Sequence, residues 1–151
     1  MRIVLQRVTR AAVTVDDETT GAVDAGLLAL VGVAEGDTDA DARLAAAKIA
    51  GMRIFPDAEG KMNRSVVDVA GSVLVVSQFT LLADTTKGRR PSFVSAARPA
   101  EAIPILKVLT DTIEAEGITV EQGRFGAHMQ VELVNDGPVT IVLDVRDGRI
   151  Q

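Results

Sequence analysis

Apolar and polar positions alternate along the first residues of the chain. Ile3 to Val8 and Ala12 to Val15 are rich in β-branched residues and predict two strands, with Asp16-Asp17-Glu18 as a turn before a further segment that ends at Gly21. Leu27 to Val33 is almost continuously apolar, the pattern of a strand covered on both faces. A helix follows: Asp37 or Thr38 can cap it, Asp39 and Asp41 suit the positive end of its dipole, and Ala42, Ala45, Ile49 and Met52 recur at helical spacing. Arg53-Ile54-Phe55 predicts a short strand stopped by Pro56, and Asp57 to Gly60 a turn. Ser72 to Ser77 predicts a buried strand running straight into Gln78-Phe79-Thr80-Leu81, then a polar, basic loop from Asp84 to Pro91. The second helix is expected over about Ala102 to Glu116, with Leu106, Leu109 and Ile113 inward, Lys107, Asp111 and Glu114 outward, and Gly117 ending it. Pro104 belongs near its first turn, since an interior proline costs about 3 kcal/mol. Three strands complete the chain: Val120 to Gly123, Ala127 to Val134 and Val139 to Leu143, the last two joined by Asn135-Asp136-Gly137-Pro138. The expected fold is a single α/β domain, residues 1–151: a curved, largely antiparallel or mixed, barrel-like sheet with two main helices packed on it.

Composition narrows the chemistry. The chain has 151 residues, 47% of them hydrophobic but only 3% aromatic, with no Trp or Tyr, so Val, Ile, Leu, Ala and Met must build the core. It has no cysteine, which excludes disulfides, thiolate catalysis and zinc–cysteine sites and suits a reducing cytosol. Arg2 to Val8 carries charges where the apolar core of an export signal would lie, and the apolar run Leu27 to Ala34 is far short of the roughly 20 residues of a membrane span. A cytoplasmic protein with no membrane partner is expected. The net charge of −5 argues against nucleic acid as a partner. Lys87, Arg89 and Arg90, with the looser groups Arg7/Arg10 and Arg53/Lys61/Arg64, read either as local anion sites or as solvated faces.

Exclusions come before candidates. His128, the only histidine, lies on the strand side of Gln130 and Glu132, opposite Ala127, Met129, Val131 and Leu133, and is expected in solvent. A Ser-His-Asp triad and a transition-metal site are therefore disfavoured, and no phosphate-binding glycine loop occurs. In Ser77-Gln78-Phe79-Thr80-Leu81, strand alternation sends Gln78 and Thr80 to one face and Phe79 and Leu81 to the other; the polar pair either lines a site or meets water where the strand emerges. Asn135-Asp136-Gly137-Pro138-Val139-Thr140 by itself reads as a hairpin turn. Arg7 shares a face with Ile3 and Leu5 and needs an anion or several carbonyls, unless it reaches solvent at the strand end.

Six segments, in this order and spread over nearly the whole chain, resemble the D-aminoacyl-tRNA deacylases: Met1 to Val8, Gly60-Lys61-Met62-Asn63, Ser77 to Leu81, Lys87-Gly88-Arg89-Arg90-Pro91-Ser92-Phe93, Gly123 to Ala127, and Asn135 to Thr140. The resemblance implies hydrolysis of the ester between a D-amino acid and its tRNA, without cofactor or metal, by a homodimer. It implies that Gly137-Pro138, with a cis bond, enters the partner's pocket and aims its carbonyls at the amino group and Cα of the bound amino acid. Ser77, Gln78, Phe79 and Thr80 would line the other wall, the Phe79 backbone N–H facing the ester carbonyl. Met129 would lie near the terminal adenosine, and Arg7 would hold the Gly-Pro loop. An activated ester can be cleaved by orientation and oxyanion stabilisation alone. Water attack aided by the ribose 2′-OH, with Thr80 as a positioning group, is then expected; Thr80 as nucleophile lacks an evident base. With amine and carbonyl both held, an L side chain meets the Gly137-Pro138 wall while a D side chain points outward, and glycine escapes rejection. Recognition centred on the terminal adenosine needs few phosphate contacts, some from Lys87 to Arg90, so salt dependence is expected to be shallow. Two rival expectations are a non-catalytic dimeric RNA- or nucleotide-binding module and a general D-amino acid esterase.

Overall fold

The structure is a computed structural model describing residues 1–151. Its elements in chain order are β1 (Arg2–Val15), β2 (Glu18–Val23), β3 (Gly26–Gly32), α1 (Asp39–Gly51), β4 (Phe55–Pro56), β5 (Met62–Arg64), β6 (Ser72–Ser77), a 3-10 turn (Phe79–Leu82), α2 (Pro99–Ala115), β7 (Val120–Gln122), β8 (Gln130–Arg146) and β9 (Arg149–Ile150). The main sheet runs β7-β6-β3-β1-β8-β9, with β2 also on β1. β3, β6 and β7 are parallel neighbours, and every pairing of β1 is antiparallel. No helix is long and apolar enough to cross a membrane.

The apolar run of β3 is buried on both faces, as its pattern requires. Leu27, Ala29 and Val31 join Val73 and Val75 of β6 against Ala42, Ala45 and Ile49 of α1 and Leu109 and Ile113 of α2. Leu28, Leu74 and Val76 face the other way, onto Val8, Val13, Val15 and Val23. The second cluster exists because the sheet curls into a half-barrel that brings β2 up to β7. Gly21 sits at that closure, where a Cβ would lie 2.6 Å from the Gln122 carbonyl oxygen.

The curl explains why β1 is one strand and not the expected two. Its register against β8 shifts between Gln6 and Val8 and again between Val8 and Arg10. Thr9 and Arg10, the exposed pair that breaks the alternation in sequence, mark a bend inside a continuous strand. The turn at Asp16 and Asp17 is found, both residues having positive φ (48° and 64°), as a tight two-residue hairpin requires.

Thr38, one of the two expected caps, closes α1. Its side chain accepts from the Asp41 amide while the Asp41 carboxylate accepts from the Thr38 amide at 2.9 Å, and also from the Gly148 amide at 2.8 Å. Burial pushes the Asp41 carboxyl up, but the bonds from the Thr38 hydroxyl and the Gly148 and Thr38 amides outweigh it and hold the group below the usual carboxylate range. α2 starts at Pro99, earlier than expected, with a proline in its first turn as helix geometry favours. Pro104 consequently falls in the second turn, where its ring is exposed and the burial of Ala102, Ile105, Leu106, Leu109 and Ile113 holds the helix.

Three further expectations are corrected. β6 does not continue through Leu81: β3 ends at Gly32, the Gln78 amide makes a last bond to the Val31 carbonyl (2.7 Å), and the chain then tightens into the 3-10 turn. Strand alternation therefore does not govern Phe79 to Leu81. Asn135-Asp136-Gly137-Pro138 does not turn the chain back. β8 runs along β1 from Gln130 to Arg146, with Val8 opposite Asn135 and Gln6 opposite Thr140, so Asp136 to Val139 bulge out opposite Arg7 alone. Finally, β4 comprises Phe55 and Pro56 themselves, paired with β5, a strand the sequence pattern did not announce.

Candidate active site

Where β3 and β6 reach their C-terminal ends, the divergence of the 3-10 turn from the sheet opens a cavity of about 530 Å³. Val31 and Val33 contribute from β3, and Ser77, Gln78, Phe79 and Thr80 from the end of β6 and the turn. Phe93, Ala96 and Ala97, then Arg98, Pro99, Ala102 and Leu106 at the start of α2, and Phe125 to Ala127 with Met129 complete the lining. The Gln78 side-chain amide donates to the Thr80 hydroxyl oxygen at 3.1 Å, leaving the Thr80 proton free for another acceptor. The Phe79 ring is 56% exposed and packs edge-to-face on Phe93, with centroids 5.1 Å apart. As the first residue of the 3-10 turn, Phe79 has no acceptor for its N–H within that turn. Phe79, with its N–H unpaired within the turn, thus lines a mostly apolar cavity together with Ser77 and Thr80. Arg98 is the only charged side chain in the lining, and no carboxylate, histidine or lysine is present to serve as a base. No group of three or more His, Cys, Asp or Glu side chains is placed to hold a metal ion. His128 is exposed and outside the lining.

Ser77, Gln78, Phe79, Thr80 and Met129 are brought together; Arg7, Gly137 and Pro138 are not among the cavity's residues within the chain. These three form a second locus on β1 and β8. Arg7 is only 9% exposed and does not reach solvent. Its Nε donates to the Asp136 carbonyl at 2.9 Å and Nη1 to the Ile54 carbonyl at 2.6 Å, and it lies 3.3 Å from the Asp136 carboxylate. Asn135 clamps the bulge at its base: its side-chain oxygen accepts from the Val139 amide at 2.7 Å and its NH₂ donates to the Val139 carbonyl at 3.2 Å. The Gly137–Pro138 peptide is cis, and both residues are exposed. A Cβ on Gly137 would lie 2.3 Å from the Val139 nitrogen, so only glycine fits there.

Reasoning from sequence missed Asn135, Phe93, Arg98 and Phe125. Phe93 and Phe125 lie in segments that carry the resemblance and had a signal there. The role of Asn135 depends on its being bulge and not turn.

The sequence model of the family described as D-Tyr-tRNA(Tyr) deacylase matches residues 4–144. A protein of Thermomicrobium roseum described as D-aminoacyl-tRNA deacylase is 58% identical over 149 residues, 99% of this chain and 97% of its own. One of the same description from Roseiflexus sp. (strain RS-1) is 57% identical over 144 residues, 95% of this chain and 93% of its own. Among solved structures, "c-Myc DNA Unwinding Element Binding Protein" superposes with a TM-score of 0.88 at 38% identity, covering 95% of this chain and 98% of its own. A probable eukaryotic D-amino acid tRNA deacylase, 18% identical with a TM-score of 0.79 over 93% of this chain and 97% of its own, shares the fold.

Proposed function

Given that the chain belongs to the D-Tyr-tRNA(Tyr) deacylase family and is a D-aminoacyl-tRNA deacylase, a hydrolase, we propose that the cavity at the end of β6 is where the ester is cut, and that a second copy of the chain completes it. The observation that carries this reading is Phe79, whose N–H has no acceptor within its turn and which lines an apolar cavity together with Ser77 and Thr80. Such a donor stabilises the oxyanion of ester hydrolysis without a titrating side chain. The 3′-terminal adenosine lies in the cavity near Met129, with the ester carbonyl on the Phe79 N–H. Water attacks, helped by the ribose 2′-OH of the tRNA. Thr80 orients the reacting groups; with no base in the lining it is not the nucleophile.

The other wall comes from Gly137-Pro138 of the second copy in a homodimer. Support for this lies in its exposure, in its absence from the lining of its own chain's cavity, and in the two clamps on the bulge, Arg7 and Asn135. A rigid wall at that face rejects L side chains by clash and admits D-aminoacyl and glycyl esters. No metal takes part, and the protein acts on the tRNA pool of the cytoplasm. The test is turnover of D-tyrosyl-tRNA and glycyl-tRNA by substoichiometric protein in EDTA. Multiple turnovers of both are expected. Binding without release of the amino acid would replace the hydrolytic reading with an RNA-binding one, and activity only with added metal would overturn the mechanism.

A further inference from the structure

Acids outnumber bases in the chain, 21 to 16, so its average field repels RNA. Six of its sixteen lysines and arginines, Arg2, Arg7, Arg43, Lys61, Lys107 and Arg124, each lie in an ion pair. Lys87, Arg89 and Arg90 do not. They are exposed and stand on a hairpin-like loop closed by two backbone bonds, Asp84 N–H to the Ser92 carbonyl (2.8 Å) and Ser92 N–H to the Asp84 carbonyl (2.9 Å). Asp84, the acid within that loop, turns its carboxylate to the Thr86 amide at 2.9 Å and leaves the cations unneutralised.

The position of this loop matters as much as its charge. One stem follows directly from the Phe79–Leu82 turn and the other leads into Phe93, so both stems join the lip of the cavity, on either side of the Phe79–Phe93 pair. Arg98, also free of any ion pair, belongs to the same lip. Resting on the deacylase reading above, we propose that the Asp84–Ser92 hairpin is an RNA track: Lys87, Arg89 and Arg90 hold the phosphates of the single-stranded nucleotides immediately 5′ of the terminal adenosine. A chain ending in the cavity must leave past this lip, and its phosphates meet unpaired cations on an otherwise acidic molecule. The loop reads no base; it supplies affinity and direction.

The experiment compares the wild type with a K87A/R89A/R90A variant on two substrates, D-tyrosyl-tRNA and 3′-O-D-tyrosyl-adenosine, the second carrying no phosphate. For the variant, KM on the tRNA is expected to rise on the order of tenfold with little change in kcat, and its log–log salt slope to fall by about 2. The preference in kcat/KM for tRNA over the nucleoside ester shrinks accordingly. A variant with wild-type KM and salt slope on tRNA would show the cluster to be only a solvated face. Equal losses on both substrates would assign the loop to supporting the cavity and overturn the track. Should the wild type cleave neither substrate, it is the deacylase reading itself that fails.

Discussion

The proposed site gives Phe79 two functions, a ring and an amide, and substitutions separate them. Proline is tolerated at the first position of a helical turn but has no N–H. Phe79→Pro is therefore expected to keep the fold and lower kcat by about 10²–10³, the usual effect of losing one oxyanion donor. Phe79→Ala keeps the amide, loses the contact with Phe93, and should act mainly on KM. If the two variants behave alike in steady-state kinetics, the oxyanion role is wrong. Thr80→Ala is expected to retain substantial activity, because no base in the lining can activate the hydroxyl and its proposed role is positioning; complete loss would restore Thr80 as nucleophile. Legibility at this scale was uneven. An arginine among apolar neighbours announced that Arg7 needed partners. Those partners, the carbonyls of Ile54 and Asp136, are backbone atoms from remote segments, and no side-chain pattern encodes them.

At the level of elements, hydrophobic period located β3, β6 and both helices, because each buries a face or two against the core. It failed where an element's course is set by its neighbour. β1 and β8 stay paired through bulges that look like interruptions in sequence, and β6 gives way to a 3-10 turn because β3 ends. The candidate site lies at these irregularities, so the residues were legible as motifs while their geometry was not. The cap of α1 makes a separate prediction. Asp41→Ala removes the capping box and the tie to Gly148, at a cost of about 1–2 kcal/mol, seen as a Tm lowered by roughly 3–8 °C. The carboxyls of Asp41 and Asp144 are both held below their ordinary range. For Asp144, the hydrogen bond from Arg2 is the main cause, partly opposed by burial and reinforced by the Arg2 charge. A depressed folded pKa gives stability that is fully present above the unfolded value, about 4, and lost as pH falls through the folded value. Tm is thus expected to be steady from about pH 5 to 8 and to drop below about pH 4, less steeply in Asp144→Asn. An equally steep acid decline in that variant would remove Asp144 from the account.

For the whole molecule, the proposed two-chain site rests on the absence of Gly137 and Pro138 from the lining of their own chain's cavity. The sequence pattern could not reveal this, since an Asp-Gly-Pro run is read locally as a turn. Gly137→Ala should abolish activity, as the methyl group has no room beside Val139, and Phe79→Pro should nearly abolish it from the other wall. If the walls come from different chains, mixing the two variants with subunit exchange recovers about a quarter of wild-type activity, because half of the dimers each regain one intact site. No recovery, with exchange verified, would place both walls in one chain.

The most direct test is parallel deacylation of D-tyrosyl-tRNA and L-tyrosyl-tRNA by the wild-type protein at catalytic concentration. Rapid release of D-tyrosine is expected, with the L ester no more labile than without protein. Comparable cleavage of both esters would contradict the chiral wall, and survival of both would contradict the assignment of catalysis to this cavity.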